Sequence, residues 1–150
     1  MEQPVKPVAG ASFEHAFSFT QADVERFAEV TGDSNPVHLD AAYAATTPFR
    51  RPILHGFLSG SVFSKVFGTL FPGKGSVYLS QELNFRRPMF ADQRYRASFT
   101  ILETDPTKGT LAIAGKILDE NGKVCLEGAA RLMNKGLFTD QSQTGPEIPG

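Results

Sequence analysis

Apolar residues change their period along the chain, and the changes mark out its elements. From Ser12 to Phe19 they alternate, with Phe13, His15, Phe17 and Phe19 on one side, which predicts a strand. Thr20 then suits an N-cap, with Asp23 three residues on as an imperfect capping box. Val24, Phe27, Ala28 and Thr31 follow at helical spacing as far as Gly32, and Asp40 caps a short predicted helix from Ala41 to Ala45. His55-Gly56 opens the most apolar helix, predicted to run to Phe71, with only Ser59, Ser61, Ser64 and Lys65 relieving it. A helix apolar around most of its circumference belongs inside a fold. Pro72-Gly73-Lys74-Gly75 stops it, and four strands are predicted after it: Ser76 to Phe85, Gln93 to Glu103, Gly109 to Leu118 and Lys123 to Met133. Asp119-Glu120-Asn121-Gly122 is a hairpin turn and Asp105 to Gly109 a looser one.

One strand, a few helices and then a four-strand meander make an α+β fold. The natural packing wraps a curved antiparallel sheet around the long apolar helix, and edge strands left open would pair with a second copy. The 150 residues suit one domain, 1–150, with an ordered core of about 12–134 between an irregular lead-in and a frayed tail.

Composition narrows the classes of partner. A formal charge of −1 gives no reason to expect a nucleic-acid groove or an anionic membrane surface. No apolar run reaches the ~18 to 20 residues of a membrane span. The N-terminus lacks a signal-peptide apolar region, so a cytoplasmic protein is expected. The single cysteine, Cys125, allows neither a disulfide framework nor a thiolate metal site within one chain, and sits in an apolar stretch as a small core residue. Three histidines scattered along the chain make no metal-ligand set, and Gly73-Lys74-Gly75 is too short for a nucleotide loop. Thirteen phenylalanines and no tryptophan suit a dry core, or the lining of an acyl pocket.

The chemistry concentrates in residues 31 to 38, Thr-Gly-Asp-Ser-Asn-Pro-Val-His. Gly32, Asn35 and Pro36 are turn formers that end a helix and stiffen its exit. Such a turn could aim the Asp33 carboxylate and the His38 imidazole at one water molecule, which is a grip suited to acid–base chemistry. It also fits an ordinary helix-stop loop in which Asp33 bonds its own backbone. The residues alone leave both readings open.

That run, followed by Arg-Pro-Ile-Leu-His-Gly-Phe-Leu and then Pro-Gly-Lys-Gly-Ser-Val-Tyr-Leu, resembles the MaoC-like hydratases, in particular the small single-domain (R)-specific enoyl-CoA hydratases. The likeness runs from about Phe17 to Met133. It implies a hot-dog fold, usually as a homodimer, and the reversible hydration of a trans-2-enoyl thioester to an (R)-3-hydroxyacyl thioester. Asp33 would be the principal base, and His38 would orient the water and return the proton, although the opposite split stays open. The Gly56 N–H, at the positive end of the central helix, would receive the charge that gathers on the thioester oxygen. His55 would fix that turn. Ser64, two helical turns beyond Gly56, matches a serine that lies near the catalytic pair in similar proteins, and Phe67 matches an acyl-chain stop. No cofactor is implied beyond coenzyme A as the handle of the substrate, with acyl carrier protein as the other carrier. Arg50, Arg51, Lys74, Arg86 and Arg87 are the basic candidates for its phosphates. Two other readings share the fold. A hot-dog thioesterase would need a carboxylate near the central helix, and none occurs between Gly56 and Phe71. A non-catalytic acyl-binding or dimerisation module would predict a lost aspartate or histidine, and both are present.

Overall fold

A computed structural model of the protein describes residues 7–139, so the ends of the expected lead-in and tail lie outside the described residues. Strand β1 (Ser12–Phe17) enters helix α1 (Gln21–Thr31) through a complete capping box. Thr20 Oγ1 accepts from the Asp23 N–H at 3.1 Å, and the Asp23 carboxylate accepts from the Thr20 N–H at 2.9 Å. Gly32 ends α1 in the left-handed region, with φ 78°. The segment that follows contains a helical turn not evident from periodicity, α2 (Pro36–Leu39). Asn35 caps it by accepting from the Val37 N–H, and Pro36 takes the first position, where a missing N–H costs nothing. Helix α3 (Ala41–Ala44) is capped by Asp40 as predicted.

The apolar helix, α4 (Gly56–Thr69), ends two residues short of its predicted limit. It is enclosed by a six-stranded antiparallel sheet made of β1, β2 (Val77–Gln81), β3 (Asn84–Phe85), β4 (Tyr95–Asp105), β5 (Thr110–Leu118) and β6 (Val124–Met133). The spatial order is β1-β4-β5-β6-β2, with β3 also paired to β6. Only β4, β5 and β6 therefore form the expected meander, because hydrophobic period shows which face of a strand is buried but not which strand lies beside it. The predicted strand from Ser76 to Phe85 is broken in two. Opposite the break sits Gly128, and the Glu82 carbonyl occupies the space that a Cβ there would need.

Phenylalanines join helix to sheet. Phe63 and Phe67 each meet the Phe99 ring edge-on at 5.2 Å, and Phe67 meets Tyr78 at 5.9 Å. Burying such a side chain contributes about 1.5–3 kcal/mol. Cys125 is buried with Leu126 and Ile117, in keeping with a small core residue. After β6 the chain does not fray at once. Asn134 is buried and donates to the Lys74 carbonyl and Ser76 Oγ, and a 3-10 helix follows over Lys135–Phe138. No helix among the described residues is long and apolar enough to cross a membrane.

The close backbone approach can be tested by substitution. Gly128→Ala should cost about 1–3 kcal/mol in urea denaturation, as overpacking does. Gly68→Ala, with open space at its Cβ position, should be neutral or stabilising by up to ~1 kcal/mol. Equal stability of the two variants would contradict this packing.

Candidate active site

The turn after α1 holds itself with local bonds. The Asp33 N–H donates to Thr31 Oγ1 at 3.1 Å, and the Asn35 N–H reaches Asp33 Oδ1 at 3.4 Å. This long local bond leaves most of the acceptor capacity of the exposed carboxylate unused. His38, buried at the end of α2, is held from two directions. Gln21 Nε2 donates to its backbone carbonyl at 2.9 Å, and its ring Nδ1 lies 2.8 Å from the Ile53 carbonyl. A carbonyl only accepts, so Nδ1 carries the hydrogen and Nε2 of the neutral ring keeps a lone pair. Burial pushes the His38 pKa below its ordinary 6.5, with the neighbouring His55 acting in the same direction, against the Ile53 carbonyl and Asp33. His38 is therefore a neutral acceptor at pH 7.

His55, 1% exposed, packs its ring against that of His38 with centroids 3.9 Å apart and planes at 31°. Its Nε2–H donates to the Asp33 backbone carbonyl at 2.9 Å, and Phe27 from α1 lies 4.7 Å away, centroid to centroid. Buried Nδ1 of His55 has no hydrogen-bond partner. One ligand-type atom each from Asp33, His38 and His55 lies within 4.8 Å of the others. The expectation that the histidines stay scattered thus fails for two of them, because folding stacks residues 38 and 55.

A cavity of about 340 Å³ opens beside this cluster, walled by His38, Gly56, Ser59, Phe85, Met89 and Cys125 among others. Helix α4 starts at Gly56 with no side-chain cap, so its first-turn N–H groups lack intrahelical partners and its positive dipole end lies at the cavity. Asp33 is not part of the wall and stands exposed beside it. A larger cleft of about 460 Å³ lies on the outer face of the sheet, among Glu82, Ser98, Lys116 and Glu127, away from both histidines.

A family model described as a MaoC like domain matches residues 4–122. The chain belongs to the MaoC-like family. It is 40% identical over 112 residues to an (R)-specific enoyl-CoA hydratase of Aeromonas caviae, covering 75% of this chain and 84% of the relative. It is 41% identical over 113 residues to a 3-hydroxybutyryl-CoA dehydratase of Methylorubrum extorquens, covering 74% and 70%. The solved (R)-hydratase from A. caviae superposes with a TM-score of 0.81 at 36% identity, over 85% of this chain and 96% of that one.

In this MaoC-like chain the predicted site residues divide into two groups. Asp33, His38 and Gly56 come together around the cavity, whereas Ser64 and Phe67 do not. Ser64 is exposed, on the arc of α4 shared by Phe57, Ser61 and Lys65. Eight residues of helix leave it about 80° round from Gly56 in one sense, whereas Ser59 lies about 60° round in the other, on the side that meets the cavity. Phe67 is sealed in the core at 1% exposure, against Phe99 and Tyr78, rather than lining this cavity. The residue missed from sequence is Ser59, one turn past Gly56, buried and on the cavity wall. Its signal was a serine on the helix face that is otherwise Val62, Phe63 and Val66. Of the five basic candidates, Arg86 and Arg87 line the cavity, with Arg86 paired to Glu127 at 2.9 Å. Arg51 stacks over Phe90 at 3.7 Å instead.

Nitrogen-15 NMR of the imidazoles should find His38 neutral at pH 7 as the Nδ1–H tautomer, and a hydrogen on Nε2 of His55. A His38 ring protonated on Nε2 would contradict the acceptor assignment.

Proposed function

We propose that the protein is an (R)-specific enoyl-thioester hydratase, reversibly adding water to trans-2-enoyl thioesters to give (R)-3-hydroxyacyl thioesters. One observation carries the reading: a neutral imidazole with a free Nε2 and the uncapped start of α4 share one largely apolar cavity. The relatives named above support it.

The residues divide the chemistry as follows. Water held between the Asp33 carboxylate and His38 Nε2 attacks C3 of the enoyl group. A new C3–O bond forms while one water O–H breaks toward Nε2, the lone pair that the Ile53 bond leaves free on the neutral ring. Asp33 accepts the second O–H and faces the imidazolium that forms. Electron density moves to the thioester oxygen, where the Gly56 N–H receives it; one such donor is worth about 3 kcal/mol in other enzymes. The imidazolium then gives its proton to C2, which restores neutral His38 and completes the addition of one water. Because the resting ring has no Nε2 proton to give, it can return only the proton it first took. This reverses the division of labour that the motif alone favoured.

Coenzyme A or acyl carrier protein would present the acyl group, and Arg87, beside the ion-paired Arg86, is the nearest free cation on the wall among the described residues. One continuous sheet around one helix supports reading the chain as a single domain. The substrate-bearing form would be a homodimer. Strand β2 has a neighbour on one side only among the described residues and exposes Val77 and Leu79, while Phe57 of α4 is 74% exposed. Light scattering should give twice the chain mass.

With crotonyl-CoA, the enoyl-thioester absorbance should fall as (R)-3-hydroxybutyryl-CoA forms. Asp33→Asn or His38→Ala should cut turnover by on the order of 10² to 10⁴ while leaving the protein folded. The acid limb of kcat/KM assigned to His38 should lie below pH 6.5, since its pKa is lowered and activity needs the neutral ring. Full activity in both variants, or silence of the native protein toward short and long enoyl thioesters alike, would overturn the reading.

A further inference from the structure

His55 lies outside the catalytic roles assigned above, yet three parts of the site meet at it. Its Nε2–H holds the Asp33 carbonyl at 2.9 Å, its ring covers His38 at 3.9 Å, and its own carbonyl carbon is bonded to the Gly56 nitrogen. We propose that His55 is a positioning residue, the strut that keeps the carboxylate turn, the imidazole acceptor and the helix-start donor in one fixed arrangement.

The local chemistry favours this over a histidine that merely fills space. His55 occupies the N-cap of α4, where Ser, Thr, Asp or Asn would strengthen the helix, and makes no capping bond. A capping side chain would compete for the first-turn N–H groups that the cavity leaves open. The imidazole instead reaches 22 residues back along the chain to Asp33. Without that bond the Asp33 turn is held by bonds within residues 31 to 35 alone: to the Thr31 hydroxyl, from the Ser34 N–H to the Gly32 carbonyl at 3.0 Å, and the 3.4 Å contact to Asn35. The Ile53 bond fixes one edge of the His38 ring but leaves rotation about that bond to be blocked by something else, and the face of His55, backed by Phe27, does so. The kinetic consequence rests on the hydratase reading, whereas the geometric one does not.

Two variants separate the donor from the ring. His55→Gln places an amide N–H near the position of Nε2, and His55→Phe keeps the stacking ring but removes the donor. His55→Phe should lower kcat for crotonyl-CoA about 10- to 100-fold with KM changed less than about threefold, as small misplacements of reacting groups do. His55→Gln should recover the part of that loss that comes from the missing donor. In nitrogen-15 spectra His55→Phe should shift the Asp33 to Asn35 amides and leave the stacked His38 ring in its single tautomer, whereas His55→Gln should restore the amides and broaden the His38 ring signals. Native kcat in His55→Phe, or losses in both variants that merely follow a fall in Tm, would overturn the proposal. If the native protein hydrates no enoyl thioester, the hydratase reading fails and the spectra decide the strut by themselves: unshifted turn amides in His55→Phe together with unbroadened His38 signals in His55→Gln would refute it.

Discussion

Helix α4 must be enclosed, since side chains around most of its circumference cannot face water, and the rest of the molecule is arranged by that need. The sheet curves around it because Phe63 and Phe67 seat edge-on against Phe99 from the middle of β4. Close approach is secured where side chains are missing. The Phe63 and Phe99 rings press on Gly115 of β5, and the Glu82 backbone presses on Gly128 of β6. The interface is aromatic and dry, so its stability comes from area and shape rather than from polar bonds.

Enclosure has a chemical consequence at the end of the helix. Burying the inner face of the helix brings its N-terminus to the cavity too, and first-turn N–H groups without a side-chain cap are poised to receive an anion. Gly56 keeps that end open, and a Cβ there would collide with the Phe85 ring at 2.9 Å. The segment before it, from Gly32 to Ile53, lays His38 against the same opening and fixes its tautomer through the Ile53 carbonyl. Burial holds the ring neutral, and the neutral ring is the form that can take a proton from water. The uncapped start of α4 and the free Nε2 of His38 thus face one cavity.

Much of this is legible in the residues. The capping box at Thr20, the cap at Asp40, the apolar helix and the hairpins at Asp119 and Asp105 are local signals, and each survives folding because tertiary packing agrees with it. Strand neighbours are not local, which is why β2 and β3 lie beside β6 although the chain suggests a simple meander. Turn α2 is too short for a period to reveal, and only Asn35-Pro36 hints at it. At the site, the Asp33 and His38 pair is visible because both stand within one turn. The stacking of His55 on His38 depends on where residues 38 and 55 are brought, and no spacing rule contains it. Ser59 and Ser64 show the same limit within a single helix, since both are serines near Gly56 and only the direction of the enclosing sheet decides which one meets the cavity.

The central claim is that one imidazole, acting from one side of the substrate, takes a proton from the attacking water and returns it to C2. Hydration of crotonyl-CoA in deuterium oxide, with the product resolved at C2 and C3 by proton NMR, tests this most directly. The account predicts (R)-3-hydroxybutyryl-CoA with a single deuterium at C2, added to the same face as the hydroxyl. Addition to opposite faces, or the (S) alcohol, would contradict it.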